Sequence, residues 1–458
     1  MSDGYDRQSA VRQDLDLLLG HLSSVSGQLE ELGTMWRRRC HARGLRPITP
    51  TRGREASAGG YDILILDAAT RQSLASVRSL GRAGLRVAAG ESITACGPSR
   101  SALTFRSRYS ARNVVLPAIT EDGGEFAAAV VGFVREHRIR VVLPTGDNTI
   151  AALLPRREQL TALGCVLALG SSSAVEVAND KDRTLAAARV LGIDQPKTVR
   201  IDSAADVPAR LAEFDFPAVL KPTRSWTGKT AERLGPVDVI SEAEAVAVTE
   251  GFLAAGAGVL AQTWACGRRE GITLLVAAGE VLASWAHAEH RTTPALGGAS
   301  VVRESITIPP DSYAASVRLV LAIGLEGLCE VEFRRDADNR PLLMEINARL
   351  PTTIENAVLS GVNFPLMIWQ WATGLEIDHV DGYRTGVRTR WLRGDIRWLV
   401  YNSRRAGRPD SVTRTRALWI FTTEFARTRH YDCLDWRDPG PAFTELRLIA
   451  AAARRLAT

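Results

Sequence analysis

The chain has 458 residues, of which 45% are hydrophobic and 24% are charged, and its formal net charge is +6. This length predicts roughly two to four domains. No apolar run reaches the length of a membrane span and the polar N-terminus lacks a secretory signal, so we predict a cytoplasmic protein without membrane contact. The basic excess is diffuse and lacks interleaved aromatic residues, which predicts no nucleic-acid partner. The six cysteines have no paired spacing, so neither a zinc site nor a disulfide framework is expected.

Residues 1–58 differ in texture from the rest. Apolar side chains recur there at the a/d spacing of a coiled coil: Leu15, Leu18, Leu22, Val25, Leu29, Leu32 and Trp36. The pattern is short, so it fits a helix packed on its own protein as well as a dimer seam. The following stretch, RRRCHARGLRPITPTRGREASAGG, is typical of a flexible basic linker. We predict a helical extension, and the pattern leaves open a homodimer through these heptads or through the domain at residues 179–375.

Residues 59–178 alternate strand-like and helix-like segments. The runs DILILD, LRVAAGE, IRVVLP and CVLAL read as strands, and helical periodicity separates them. Such alternation predicts an α/β domain with a parallel sheet. The first strand-to-helix turn, DAATRQS, lacks the GxGxxG pattern, which argues against a nicotinamide site.

Residues 179–375 follow a second pattern, in which helices near 181–191 and 241–254 flank strand-like runs. The stretch around Ala278 and Gly279 predicts antiparallel strands joined by a tight turn. Residues 376–458 are weakly patterned and rich in arginine, and they end in a predicted helix, FTELRLIAAAARRLA.

The stretch CEVEFRRDADNRPLLMEINAR, residues 329–349, predicts a β-hairpin with one dry face and one polar face. Alternate residues of a strand share a face. In the first strand, Glu330 and Glu332 therefore lie opposite Cys329, Val331 and Phe333. In the second strand, one face should carry Leu343, Glu345, Asn347 and Arg349, and the other Leu342, Met344, Ile346 and Ala348.

The carboxylates of this polar face need a counter-charge. Two of them about 4 Å apart repel by roughly 4 kcal/mol at an effective dielectric constant of about 20. Carboxylate and amide oxygens are the ligands that Mg²⁺ prefers, so the pattern favours a metal site. A solvated outer face with mixed charges is the alternative that the pattern alone leaves open.

Lysine is rare, because only four of the 57 basic residues are lysine. Lys181 begins a predicted helix, and Lys221 ends the apolar strand FPAVLKP. The small-residue loop that follows, TRSWTGKT, contains Gly228 and Lys229 and could cradle phosphates with its N–H groups, although it is not a Walker A sequence. Together with the acidic hairpin, these residues describe a nucleoside triphosphate site.

With these residues in view, the stretch from about 60 to 375 resembles the ATP-grasp superfamily, in particular its carboxylate–amine ligase branch, which is similar to the carbamoyl-phosphate synthase large chain. EVEF and LLMEINAR carry the strongest match. The resemblance implies an α/β (α+β) fold. It would comprise a parallel pre-ATP-grasp domain over 59–178, an ATP-grasp domain over 179–375 with a lid subdomain at about 195–262, and a C-terminal segment, 376–458, that completes the catalytic domain.

The resemblance also implies roles for individual residues. The ligands of two Mg²⁺ ions, or of Mn²⁺, would be Glu332, Glu345 and Asn347. The catalytic residues would be Arg349, which steadies the transferred phosphoryl group, and Lys221. The ATP-binding residues would be Lys181, Lys221, Gly228, Lys229, Gln262, Thr263, Trp264, Ala265 and Glu270, with Glu270 on the ribose. The substrate-binding candidates are His287, Arg291 and Arg303.

Some positions depart from the family pattern. Thr263 replaces a frequent Glu in the adenine hinge, and the phosphate loop has only one glycine. LPTT replaces the small-residue turn after Arg349, which suggests an unusual substrate. The segments 222–232 and 290–300 would close over the site and exclude water.

The implied function is an ATP- and Mg²⁺-dependent ligase that joins a carboxylate to an amine, with amino acids or short peptides as the expected substrates. Two alternatives stay open. One is a carboxylase-like or carbamoyl-phosphate-like enzyme with a non-amine acceptor, although no biotin-carrier segment or glutamine amidotransferase triad is visible. The other is a non-catalytic nucleotide-binding scaffold, which has no physical reason to keep several buried charges.

Overall fold

The structure is a computed structural model, and the residues it describes are 60–97, 101–212, 214–229, 233–294, 298–377, 379–380, 382–405 and 407–457. The predicted helical extension and linker, residues 1–58, lie outside them. Everything described below, apart from the end of the last helix, belongs to one compact unit, Gly60–Leu446. Among the described residues, no helix is both long and apolar enough to cross a membrane.

The first layer is a parallel sheet of five strands in the order β3-β2-β1-β4-β5. The strands are β1 Ile63–Ile65, β2 Val87–Ser92, β3 Ser110–Leu116, β4 Val141–Leu143 and β5 Val166–Leu167. The helices of this layer are α1 Arg71–Arg82, α2 Ile93–Cys96, α3 Gly124–His137, α4 Asp147–Leu153, α5 Arg157–Ala162 and α6 Ser172–Asn179.

Strand β1 is apolar on both faces because helices cover both faces of the sheet. Leu64 packs in a core with Val130 of α3, whereas Ile63 and Ile65 pack in another core with Val77 of α1. This explains why the first strand has no polar alternation, and it confirms the predicted parallel layer.

The second layer is a small antiparallel sheet in the order β6-β9-β7-β8. Its strands are β6 Thr198–Ile201, β7 Ala218–Pro222, β8 Val237–Val239 and β9 Val259–Thr263, and its helices are α7 Lys181–Val190 before it, α8 Val207–Leu211 and α9 Glu242–Ala254. Ala245 and Phe252 of α9 pack against β7 and β9 residues in a separate core. The predicted helices near 181–191 and 241–254 are confirmed.

The third layer is a sheet of seven strands in the order β14-β13-β10-β11-β12-β15-β16. Its strands are β10 Arg269–Ala277, β11 Glu280–Thr293, β12 Ala299–Ile306, β13 Gly327–Arg335, β14 Pro341–Asn347, β15 Arg388–Arg390 and β16 His430–Tyr431. Ala278 and Gly279 join β10 to β11 with φ values of 52° and 76°, as expected for a tight hairpin turn. Strand β14 lies at one edge, where the Leu343 N–H donates to the carbonyl oxygen of Asp194 at 2.8 Å.

The arginine-rich C-terminal segment is far more ordered than its pattern predicted. Three helices precede this segment: α10 Pro310–Ala322, α11 Ile354–Ser360 and α12 Phe364–Thr373. The segment itself supplies β15 and β16 to the large sheet and contains the helices α13 Leu392–Arg404, α14 Arg414–Arg427 and α15 Gly440–Ala457. Buried ion pairs hold it in place: Asp432 pairs with Arg303 at 2.5 Å and also with Arg71 of α1, and Asp438 pairs with Arg78 at 2.9 Å. Mixed parallel and antiparallel layers confirm the predicted fold class, while the domain boundaries stay a prediction.

Candidate active site

The acidic hairpin forms at β13 and β14 as predicted. Glu332 lies directly opposite Glu345, and Glu330 lies opposite Asn347. On the other side of β13, Gly271 of β10 is the neighbour of Glu332. Cys329, Val331 and Phe333 point into the apolar core, so the carboxylates of β13 share the opposite face.

The predicted alternation of β14 is wrong in its first half. A β-bulge interrupts the register between Glu332–Glu345 and Phe333–Leu343, so Met344 has no partner residue. Leu343 therefore joins Ile346 in the dry core, three positions away, whereas Met344 lines a cavity. The extra residue shifts the phase of the strand and brings Met344 to the side of Glu345.

The two paired glutamates have different protonation behaviour. Burial alone would raise the pKa of Glu345, but Lys181, whose Nζ lies 2.9 Å from Oε2, acts with other cations to lower it to about 2. Burial and the charges of Glu345 and Glu330 hold the pKa of Glu332 well above its usual range. The site thus contains one carboxylate with a cation and one without.

A chain of polar contacts leads from the hairpin to the parallel layer. The Asn347 amide donates to Glu332 Oε1 at 2.7 Å, and Arg349 Nη2 donates to Asn347 Oδ1 at 3.0 Å. Arg349 Nε donates to Asp147 Oδ1 at 2.5 Å, and Asp147 is the first residue of α4. Arg349 keeps the pKa of Asp147 below its usual value, although burial opposes this. Arg349 is therefore a buried, permanently charged group beside the predicted metal ligands.

A cavity of about 290 Å³ lies between the small and the large antiparallel sheets. Lys221 and Gln262 line it from the small sheet, and His287, Glu332 and Glu345 line it from the large one. Lys181 also lines it, so the cavity brings together most of the predicted ATP and metal residues. Its walls combine basic and acidic groups, as a phosphate–metal site requires.

Lys221 ends strand β7 and faces the hairpin. Its Nζ lies 3.6 Å from the sulfur of Met344. Burial, together with the charge of Lys181, lowers the pKa of Lys221 to about 8, against the attraction of Glu345 and Glu332. The ammonium group is therefore short of counter-charge within the protein.

The predicted adenine hinge lies at the end of β9. Gln262, Thr263 and Ala265 line the cavity, whereas the Trp264 ring lies 4.8 Å from the Arg334 guanidinium. The buried Oε1 of Gln262 has no hydrogen-bond partner among the described residues. This oxygen is an acceptor that an amino group in the cavity would satisfy.

Glu270 does not present a free carboxylate to the cavity. Its oxygens accept from Arg335 Nη2 and Arg268 Nη2, each at 2.7 Å, and from Ser312 Oγ. Its strand neighbours Arg269 and Gly271 occupy the other face. Glu270 nevertheless lines the cavity, and its ribose role stays a prediction.

The phosphate-loop candidates lie at the edge of the site. Gly228 has a φ of +84°, and a Cβ there would lie 2.8 Å from the Glu121 carbonyl oxygen, so only glycine fits this approach. The Lys229 side chain lies against Gly256 and is not among the residues that line the cavity. Both ATP-binding roles stay predictions.

Of the substrate-binding candidates, the structure brings only His287 into the cavity. Its ring stacks on Trp285 with centroids 4.9 Å apart, and Nε2 lies 3.9 Å from both Glu330 and Glu289. Its Nδ1 is buried without a hydrogen-bond partner in the described part of the chain. Gly271 makes room for this ring, since a Cβ there would lie 2.3 Å from His287 Cε1.

Arg291 and Arg303 are a correction to the sequence-based prediction. Arg291 pairs with Asp395 through two hydrogen bonds of 2.8 and 2.7 Å. Arg303 is fully buried and pairs with Asp432. Both guanidinium groups hold the C-terminal segment, so neither can bind a substrate carboxylate.

Sequence reasoning missed three residues of the site: Asp147, Glu289 and Met344. Asp147 follows the strand-like run IRVVLP, where side chains at the carboxyl end of a parallel strand commonly meet ligands, so this signal was available. The positions of Glu289 and Met344 depend on strand register and a bulge, which the sequence does not display.

Comparisons with known proteins agree with this geometry. Residues 291–394 match a family model described as ATP-grasp in the biosynthetic pathway with Ter operon. The structure is similar to L-amino acid ligase from Bacillus licheniformis, with a TM-score of 0.53 and 18% identity over 69% of this chain and 75% of that chain. The chain has the ATP-grasp fold. This confirms the fold that the sequence resemblance implied.

Other ATP-grasp structures match to a similar extent. Biotin carboxylase from Campylobacter jejuni gives a TM-score of 0.56 and 13% identity, over 72% of this chain and 74% of that one. N5-carboxyaminoimidazole synthetase from Staphylococcus aureus gives 0.51 and 13%, over 72% and 81%. No curated protein sequence matches significantly. These similarities establish the fold and leave the reaction to be argued from the site.

Proposed function

We propose that this protein is an ATP- and Mg²⁺-dependent ligase that activates a carboxylate as an acyl phosphate and joins it to an amine, giving an amide, ADP and phosphate. One observation carries the proposal. Lys181 and Lys221 meet Glu332 and Glu345 in a single cavity that also contains the hinge residues of β9. The ammonium groups would contact the phosphates of ATP, and the carboxylates would contact the cation bound to those phosphates.

The donor set fits Mg²⁺. Burial and the charges of Glu345 and Glu330 raise the pKa of Glu332, and a divalent cation would offset this repulsion. No cluster of three or more His, Cys, Asp or Glu side chains in the described chain is arranged to hold a metal alone. Glu332, Glu345 and Asn347 would therefore hold Mg²⁺ together with phosphate and water oxygens, as is usual for this ion. Bound Mg²⁺ would neutralise charge on the phosphates.

The proposed reaction has two steps. A carboxylate oxygen of the substrate bonds to the γ-phosphorus, and the bond from that phosphorus to the β,γ-bridging oxygen breaks, so ADP leaves. The amine nitrogen then bonds to the acyl carbon, the bond from that carbon to the phosphate oxygen breaks, and the nitrogen loses one proton. Lys181, Lys221 and Arg349 would hold the negative charges in both steps, because they surround the hairpin.

The test traps the acyl phosphate. Purified protein is incubated with Mg²⁺, ATP, hydroxylamine and a panel of amino acids and other carboxylates, and hydroxamate and ADP are measured together. We expect hydroxamate and ADP in equal amounts with at least one carboxylate. ADP that depends on bicarbonate without hydroxamate would instead support a carboxylase-like reaction. Tight ADP binding by calorimetry without turnover of any substrate would support a scaffold.

A further inference from the structure

A second cavity adjoins the first. It has a volume of about 470 Å³ and lies among α4, α6, the loop at 224–227 and the end of β14. Lys181, Ser225 and Glu345 line both cavities. A molecule in the second cavity therefore meets the proposed phosphate end of the first at these side chains.

The wall of the second cavity combines apolar side chains with polar and charged ones. Ile150 and Val175 are buried in its wall, and Leu154 and Trp226 are half-buried there. The polar part of the wall is Asp147, Glu176, Asn179, Arg224 and Asn347, together with the shared Lys181 and Glu345. Such a mixed wall matches a molecule that carries a bulky apolar group as well as charged groups.

We infer that this cavity binds the carboxylate substrate and that the substrate carries a bulky aliphatic or aromatic group. The inference rests on the proposed function, since the carboxylate must come within about 3–3.5 Å of the γ-phosphorus. The nucleotide occupies the first cavity, which contains the hinge, so the second is the space left for a carboxylate near Lys181. Bicarbonate or glycine would leave its apolar wall unfilled.

The size of the expected preference follows from the apolar wall. One methylene in a hydrophobic pocket changes kcat/KM by roughly tenfold or more. Leucine and phenylalanine should therefore exceed glycine at least tenfold as carboxylate donors, when hydroxamate formation is measured with Mg²⁺, ATP and hydroxylamine.

Two matched variants test the location. Ala151 of α4 is exposed and lines the second cavity, so Ala151→Trp fills it without disturbing a packed core. Ala128 is an exposed alanine of α3 that lines neither cavity, and Ala128→Trp is the control. Ala151→Trp should lower kcat/KM for leucine and phenylalanine at least tenfold, with less than a threefold change for glycine and for ADP affinity. Ala128→Trp should match the wild type.

A third variant tests the same location in case Ala151→Trp folds poorly. Leu154→Ala enlarges the cavity and should raise the phenylalanine-to-leucine ratio of kcat/KM. A wild type that prefers glycine, equal effects of the two tryptophan variants, or an unchanged ratio in Leu154→Ala would overturn the inference. These outcomes require hydroxamate. Its absence with every carboxylate, while ADP still binds, marks a failure of the proposed function itself and overturns this inference with it.

Discussion

At the scale of single residues, the walls of the cavity between the two antiparallel sheets hold charges that lack partners within the protein. Burial lowers the pKa of Lys221 to about 8 and raises that of Glu332, so both are pushed toward their neutral forms. Glu345 stays ionised because Lys181 lies 2.9 Å away. Perturbed groups of both signs facing one cavity are typical of functional sites, and phosphates with a cation would supply both missing partners.

The lowered pKa of Lys221 predicts the pH dependence of the free enzyme. The protonated ammonium attracts phosphate, and protonation is complete well below pH 8 and lost above it. We expect kcat/KM for ATP to fall about tenfold per pH unit above about pH 8, because this parameter reports the free enzyme. Lys221→Arg keeps its positive charge over the whole pH range, so this variant should not show the fall in kcat/KM above about pH 8. If kcat/KM still fell above about pH 8 in the variant, the titrating group would be another residue.

The two glutamates should respond differently to neutral substitution. Glu332→Gln removes a charge that burial and its neighbours disfavour, so the free energy of unfolding without metal should stay equal or rise by about 1 kcal/mol. Glu345→Ala leaves the Lys181 ammonium unpaired and should destabilise the fold modestly. Both variants should lose ATP turnover and the Mg²⁺-dependent rise in Tm measured with ADP. A variant that kept either property would contradict the assignment of its glutamate as a metal ligand.

At the scale of elements, the site is a row of residues that crosses four strands. His287, Gly271, Glu332 and Glu345 lie side by side on β11, β10, β13 and β14. The residue on β10 is glycine, Gly271, because the imidazole ring of His287 lies directly over it. The sheet thus sets the spacing between the predicted metal ligands and the substrate-binding candidate through its register alone.

Gly271→Ala tests this arrangement. The added Cβ would lie 2.3 Å from His287 Cε1, so the ring must move or the strand must bend. We expect a loss of about 1–3 kcal/mol in the free energy of unfolding and a larger loss of turnover than of ADP binding. Gly132→Ala in α3 is the control, because its Cβ meets nothing within 4 Å and the helix should gain up to about 1 kcal/mol. If Gly271→Ala and Gly132→Ala had equal effects on stability and turnover, Gly271 would not be needed to make room for the His287 ring.

The acidic hairpin was predictable from the sequence because strand alternation is a local rule. Which residues of β14 face the site was not predictable. A bulge brings Met344 to the other face of the strand, and the residues LLMEIN contain no sequence signal for a bulge. Arg291 and Arg303 were misassigned for another reason. Their partners Asp395 and Asp432 lie more than one hundred residues away along the chain, and pairings at that separation leave no local trace.

At the scale of the whole molecule, one carboxylate connects three parts of the chain. Asp432 follows β16, and it pairs with Arg71 of the parallel layer and with Arg303 of β12. All three side chains are buried. The C-terminal segment therefore stabilises the contact between the first layer and the sheet that carries the candidate active site, which its weak sequence pattern did not indicate.

Asp432→Asn should be among the most damaging substitutions outside the cavity. It leaves two buried guanidinium groups without a counter-charge, which costs about 3–5 kcal/mol. Asp338→Asn removes an acid from a 77%-exposed side chain paired with Arg340 and should change stability by less than about 0.5 kcal/mol. Chemical denaturation of both variants tests this, and a cost below 1 kcal/mol for Asp432→Asn would mean that solvent reaches the cluster.

The position of β14 at the sheet edge has a practical consequence for any shortened form of the protein. Its backbone meets the 191–196 stretch through the hydrogen bond from Leu343 to Asp194. A fragment starting at β6 would retain the acidic hairpin and lose this cover. Its bare strand would then offer a template for pairing with other molecules, so self-association during purification would be a signature of the missing stretch rather than of a natural oligomer.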